Sequence, residues 1–395
     1  MKSPRPVRFL AMMAVASLVL AACGGGDDDT TSAGGGQGRA QTYTIGFVGA
    51  LTGDNANLGI NIRDAIRVAI DQENAGDGPK IRMKEFDTAG DPAVASTVKD
   101  QFLNDREVLG IVGPAFSGET RALLPSIQQA GLVMISASAT NKDLPNVVPN
   151  ASVFHRVIAD DLLQANGIVE YLSRENPRPT SIMVVHDNTD YGKALADDVA
   201  KGATAKGLSV AATEVIDPKA QDFSAAVNRI RSANPSHVFY GGYYAEAGRL
   251  KKQLTDANVR ATFVSGDGSL DPGFITSAGP AAAEGARLSC PCNLALESST
   301  GKLKTFYDDF RRIVGKEPGL YSPEAYDAAK ILIQGIKAGN TDRAKLLQYV
   351  EGFGQMDGIS KSIQFEPNGN LKSKTFFVFQ VRGGKITPLT QVEVG

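Results

Sequence analysis

The chain has 395 residues, 42% of them hydrophobic, and 41 basic against 43 acidic side chains for a formal net charge of −2. At roughly 100–200 residues per domain this length suggests two domains and an ample core. The balanced charge excludes the basic footprint that a nucleic-acid partner needs.

The first feature in chain order is a leader. Lys2, Arg5 and Arg8 precede an apolar run of 14 residues at 9–22, the pattern of a secretory signal. The run is shorter than the roughly 20 residues that span a bilayer. It ends in Leu20-Ala21-Ala22-Cys23, which resembles a bacterial lipobox and implies a signal peptide over 1–22 and a lipid on Cys23. Residues 24–38 are mostly Gly, Asp, Thr and Ser, too polar to bury a core, so 23–41 read as a flexible tether. The expectation is an exported protein, lipid-anchored to the cell envelope.

From Thr42 a strand-like run rich in Val, Ile and Phe, a Gly- or Asp-containing turn and a helix of period near 3.6 recur in order. Strands are predicted at 43–48, 81–86, 109–112 and 132–135. Helices carrying Ile62, Ile66 and Ile70, then Val94, Val98 and Phe102, then Leu124 and Ile127 lie between them. In Asp87-Thr88-Ala89-Gly90-Asp91 the two carboxylates flank a turn and cap the helix beginning at Pro92. After a polar stretch with Pro145 and Pro149 the pattern restarts, with strands at 182–185, 210–216, 238–240 and 262–264. Two βα series of four strands each predict α/β architecture with mostly parallel sheets and right-handed crossovers. Beyond Cys292 the chain turns helical at 302–313, 323–338 and 342–350 and closes with a strand at 376–379.

Cys290 and Cys292 flank Pro291. In an extended strand their Cα atoms would be about 6.6 Å apart at a rise of roughly 3.3 Å per residue, near the upper limit for a disulfide. A bend at the proline would let them pair in an oxidising compartment. His155, His186 and His237 stand singly, so no metal site and no cofactor is expected.

In open α/β sheets the loops leaving the carboxyl ends of strands line the ligand crevice. Here those loops are small and polar: 49–53, 113–118, 136–140, 186–192, 241–246 and 265–268. Neither G-x-G-x-x-G nor a P-loop occurs among them. Ser117 is preceded at −2 by Ala115 where a nucleophile elbow requires glycine. The loops read as a binding crevice without catalysis, so no enzyme is expected.

The motifs Phe47-Val48-Gly49-Ala50-Leu51-Thr52-Gly53, Val184-Val185-His186-Asp187 with Tyr191-Gly192, and Phe239-Tyr240-Gly241-Gly242-Tyr243 with Glu246 resemble, in this order, the leucine/isoleucine/valine-binding proteins. These are extracytoplasmic solute receptors of ABC importers with the type I periplasmic-binding-protein fold. The resemblance covers nearly all of 42–378. It implies two Rossmann-like lobes, 42–157 with 289–365 and 158–288 with 366–395, joined by a three-crossing hinge near 157–160, Arg287–Cys290 and 365–371, and closing on a ligand. It also implies an amino-acid ligand, ABC permease subunits and the membrane as partners, no nucleic acid, and a monomer.

An α-amino acid needs donors for its carboxylate and acceptors for its ammonium. Ser117 opens the helix after the third strand, where a hydroxyl and free N–H groups suit a carboxylate, with Thr140 as second donor. Asp267, flanked by Gly266 and Gly268 that would admit a ligand closely, is the counter-charge for the ammonium. Family positions put the Ser138 carbonyl and the Tyr243 hydroxyl beside it and Tyr191 over the cleft. Asp267 stands where the best-known members have glutamate, and Leu58 where they often have tyrosine, so the side-chain pocket does not carry over. A branched-chain or other apolar amino acid is the first expectation. The alternative is a sensing receptor for amides, urea or small carboxylates that feeds a signalling partner.

Overall fold

The computed structural model describes residues 41–394; the leader, Cys23 and the tether lie outside them. Strand β1 (Thr42–Gly49) is followed by helix α1 (Ala56–Asn74), whose Ile62, Ile66 and Ile70 fall on its buried face. Next come β2 (Lys80–Asp87), α2 (Pro92–Leu103), β3 (Val108–Val112), α3 (Ser117–Ala130), β4 (Val133–Ser136) and the short β5 (Phe154–Arg156). Asp91 caps α2 by accepting the Ala93 N–H, with Pro92 in the first turn. Asp87 accepts the Leu51 and Thr52 N–H groups, tying the first loop to the second strand.

The second series is α4 (Asp161–Ser173), β6 (Ile182–His186), α5 (Asp190–Ala205), β7 (Val210–Val215), α6 (Ser224–Ala233), β8 (His237–Gly241), α7 (Tyr244–Asp256), β9 (Thr262–Ser265), α8 (Pro272–Ala278), α9 (Pro280–Ala283) and β10 (Arg287–Cys290). Helices α10 (Gly301–Val314), α11 (Ser322–Lys337) and α12 (Arg343–Glu351) follow. The small strands β11 (Met356–Asp357) and β12 (Ser362–Ile363) and the hairpin β13 (Thr375–Arg382) and β14 (Lys385–Glu393) end the chain.

The strands form two large sheets, β2-β1-β3-β4-β5 and β14-β13-β10-β9-β8-β6-β7. All pairings are parallel in the first; in the second only those made by β13 are antiparallel. The sheets are therefore larger than the four-stranded series expected. β5 is three residues long and carries His155 and Arg156, so it shows no apolar run. β10 was expected as a crossing; its Leu288 and Cys290 are buried and it pairs with both β9 and β13. β14 carries Pro388 and five polar residues on an edge, where a strand tolerates both. The β13–β14 turn uses Gly383 and Gly384, both at positive φ, as a tight hairpin requires.

The chain passes from the first sheet to the second after β5, returns after β10 to build α10 to α12 against the first half, and crosses again into β13. Cys290 and Cys292 sit at the second passage as a disulfide, with Cα atoms 4.9 Å apart. Pro291 supplies the bend that an extended geometry lacks. Helix α11 lies along α1, and its Ile331, Leu332 and Ile333 are fully buried. Among the described residues no helix is long and apolar enough to cross a membrane, and no group of three or more His, Cys, Asp or Glu could hold a metal ion.

Candidate ligand cleft

The carboxyl-end loops of both sheets meet face to face. On the side of the first sheet, Ser117 begins α3 and is buried, its Oγ accepting the Asn141 N–H at 3.1 Å. Its own hydroxyl proton is left to donate elsewhere. Ser138 Oγ donates to the Ala115 carbonyl at 2.5 Å, binding one cleft loop to the other. Thr140 is fully buried, and its Oγ1 has no hydrogen-bond partner among the described residues. Beneath Ser117, Glu119 accepts the Phe116 N–H at 3.0 Å and the Thr88 hydroxyl. Burial pushes the Glu119 carboxyl up to about 7.

On the other side Asp267 is wholly buried. Its Oδ1 accepts the Tyr191 hydroxyl at 2.6 Å and Gln164 Nε2 at 2.9 Å, and its Oδ2 accepts the Tyr321 hydroxyl at 2.8 Å. Burial pushes the carboxyl up, and these three donors work against that. The room beside Gly266 and Gly268 is taken by protein: a Cβ on Gly266 would lie 2.5 Å from the Tyr191 hydroxyl, and one on Gly268 would lie 2.7 Å from the Tyr191 ring. Those glycines admit a tyrosine, which corrects the expectation that they admit the ligand. Tyr243 packs between halves with its ring tilted against both neighbours, its centroid 4.8 Å from that of Phe116 and 5.2 Å from that of Tyr191.

Four residues absent from the sequence reading complete the centre: Gln164, Tyr321, Asp161 and Arg156. Tyr321 precedes α11 at φ 65° and brings a hydroxyl from the C-terminal segment; nothing local in the sequence announces it. Asp161 opens α4 beside the capping Asp160 and donates its N–H to the Thr140 carbonyl at 2.8 Å. Arg156 is fully buried, and its guanidinium donates to the carbonyls of Ala139 and Asn141, which flank Thr140, and to Asn370 Oδ1. It thus ties the Thr140 loop to the first and third passages of the chain.

Polar contacts seal both rims. Arg121 meets Asp190 at 2.7 Å, Asn141 donates to the Asp190 carbonyl and Lys142 meets Asp198 at 3.0 Å. On the opposite rim Asn57 donates to Asp271 at 3.0 Å and Asn55 to Glu246 at 3.3 Å. Ser117, Thr140, Tyr191, Tyr243 and Asp267 come from loops or helix starts after five different strands, and the closed arrangement gathers them at one junction.

A family model described as periplasmic binding protein matches residues 42–385. The leucine-, isoleucine-, valine-, threonine- and alanine-binding protein of Pseudomonas aeruginosa is 28% identical over 345 residues, covering 86% of this chain and 90% of its own. Among solved structures, the branched-chain amino acid transporter substrate-binding protein LivJ of Streptococcus pneumoniae, in complex with isoleucine, matches with a TM-score of 0.81 at 24% identity, over 89% of this chain and 100% of its own. An ABC transporter solute-binding protein of R. palustris in complex with benzoate matches with a TM-score of 0.79 at 17% identity, over 89% of this chain and 97% of its own. With two mostly parallel α/β sheets, a sealed polar junction between them and a family match over most of its length, the chain belongs to the periplasmic binding protein family, of type I fold, and is a solute binder and not an enzyme.

Proposed function

We infer that the chain captures an α-amino acid with a branched or otherwise apolar side chain between its two halves and hands it to the permease subunits of an ABC importer. The observation that carries this reading is the polarity of the junction. A hydroxyl and helix N-terminus at Ser117 and the Thr140 hydroxyl suit a carboxylate, while Asp267 opposite supplies the charge an ammonium needs. The Ser138 carbonyl is the further acceptor and the Tyr191 and Tyr243 rings the cover. A ligand that is only a carboxylate would bring a second negative charge against Asp267 with nothing to offset it. The names of the Pseudomonas aeruginosa relative and of the isoleucine-bound LivJ favour the same ligand class, while the benzoate-bound neighbour represents the alternative.

The test is mass spectrometry of what co-purifies with the chain, followed by calorimetric titration of the stripped protein with L-leucine, L-alanine, benzoate and urea. Leucine is expected to bind and benzoate and urea to be rejected; tight benzoate or urea binding with no amino-acid binding overturns the reading. For export, Cys23 is the proposed lipid anchor, so Cys23→Ala should move the protein from the membrane fraction to the soluble fraction. An unchanged membrane fraction removes the anchor.

A further inference from the structure

Asp161 and Asp267 are both fully buried, and one carboxamide serves them both: Gln164 Nε2 donates to Asp267 Oδ1 at 2.9 Å and to Asp161 Oδ1 at 3.3 Å. Gln164 Oε1 is meanwhile committed to the Asp267 N–H at 2.9 Å. The second oxygen of Asp161 has no hydrogen-bond partner among the described residues, and neither does the neighbouring Thr140 hydroxyl. Both groups stand beside the counter-charge already assigned, and the Thr140 hydroxyl favours the ionised form of Asp161.

Among the described residues no cation forms an ion pair with Asp161 or Asp267, the nearby Arg156 standing against Asp160 instead. Arg156 is the basic group on the adjoining strand β5, but its guanidinium is spent on Ala139, Asn141 and Asn370, and its remaining nitrogen stands 3.7 Å from Asp160. It draws Asp161 toward ionisation and Asp160 opposes it, both less strongly than the Asp267 charge that holds the proton on. Tyr191 from α5 and Tyr321 ahead of α11 give Asp267 hydroxyl donors without charge, and burial keeps both phenols protonated. Burial acts first on each carboxyl and pushes both up. Two carboxylates this close in a dry site cannot both be ionised without a counter-ion.

Resting on the amino-acid reading above, we propose that Asp161 and Asp267 share one proton in the free protein and that the ligand's ammonium takes its place between them, so that each amino acid captured releases one proton to solvent. Charge balances: a monoanionic pair plus a zwitterion becomes a dianionic pair holding the ammonium, plus one proton in water. Asp161 is then a specificity-determining residue, because the site is completed only by a ligand that brings its own cation. Release of a proton on binding also makes the affinity rise with pH.

Calorimetric titration of the full chain with L-leucine at pH 7 in phosphate and in Tris, buffers of different ionisation enthalpy, counts the protons directly. The expected count is about one released per leucine. Affinity should rise by up to about tenfold per pH unit through the range where the pair holds its proton. The probe 4-methylpentanoate, which is leucine without its ammonium, should release none and bind at least a hundredfold more weakly. In Asp161→Asn the count should fall toward zero and the pH profile flatten, with affinity kept better than in an Asp267 variant; a residue that only shaped the fold would leave the proton count alone. Should the variant not fold, the wild-type count in the two buffers decides by itself. Leucine binding with no proton exchange overturns the shared proton while leaving the amino-acid reading standing, whereas failure of every amino acid to bind overturns both.

Discussion

At the scale of single residues the centre is organised by carboxylates whose proton affinity is set by burial. Asp267 is the clearest case, since opposite charges about 4 Å apart attract by roughly 4 kcal/mol at an effective dielectric near 20. Truncating one partner of a buried charged pair typically costs about 2–5 kcal/mol. Asp267→Asn should therefore weaken leucine binding about thirtyfold or more with little change in melting temperature, read by titration beside a melting curve. Affinity within threefold of the parent would remove the counter-charge from the account. Glu119 acts one layer below, holding the Phe116 N–H and Thr88 under the start of α3. Its folded pKa is raised from 4.5 to about 7, so between those values the folded chain keeps a proton that the unfolded chain has given up. Stability from this group is thus lost as pH rises from about 4.5 to 7, by about 3 kcal/mol in all. Glu119→Gln, which retains an acceptor for Phe116, should lose less melting temperature than the parent between pH 5 and pH 7.5. Equal losses in the two proteins would place the pH dependence elsewhere.

At the scale of elements, the ends of helices decide where loops go. Asp91, Asp160, Thr189, Asp271 and Asp342 cap five helices with their side chains, each satisfying an N–H that the helix leaves open. The carboxyl end of α2 is served from far away in sequence: Arg343, at the start of α12, donates to the carbonyls of Phe102, Leu103, Asp105 and Val108. A single guanidinium fork thus closes α2, turns the chain into β3 and fastens the C-terminal helices to the first sheet. Arg343→Ala leaves those carbonyls to water, and at about 1.5–3 kcal/mol for hydrogen bonds to a charged group it should destabilise the fold by about 2–4 kcal/mol. Leucine affinity should stay within twofold, because nothing in the cleft touches Arg343. Denaturant unfolding measures the first and titration the second; unchanged stability would show that water replaces the fork at no cost.

At the scale of the molecule, the site belongs to neither half alone. Thr140 and Ser117 stand on loops of the first sheet, Asp267 and Tyr191 on the second, and Tyr321 arrives from the segment that returns after β10. Three passages of the chain allow the halves to part about a hinge, and the rim pairs such as Arg121–Asp190 and Asn57–Asp271 form only when they meet. Ligand binding to the closed form should therefore compact the protein and raise its melting temperature. The gain by mass action is about 2.7 kcal/mol at a hundredfold excess over Kd. Small-angle scattering with and without saturating leucine checks the motion, and superimposable curves would remove the hinge from the mechanism.

The alternation of apolar runs with helices of period 3.6 determined the α/β class and most strands, because burial on both faces of a parallel strand leaves a continuous Val, Ile and Phe signature that needs no tertiary context. Asp91 as a helix cap was legible for the same local reason. The polar loops at strand ends could be picked out locally; Tyr191, Tyr243 and Asp267 touch one another there, with Ser117 and Thr140 bonded to Asn141 and Asp161. What only the tertiary structure decided is what surrounds them. β5 and β10 are too short to show a period, so their places in the sheets follow from pairing, β5 with the preceding β4 and β10 with β13, distant in the chain. Asp161, Gln164 and Tyr321 lie 106, 103 and 54 residues from Asp267 in sequence. Their chemistry arises from being brought together without water: a carboxylate at a helix start is an ordinary capping group until a second one is buried beside it.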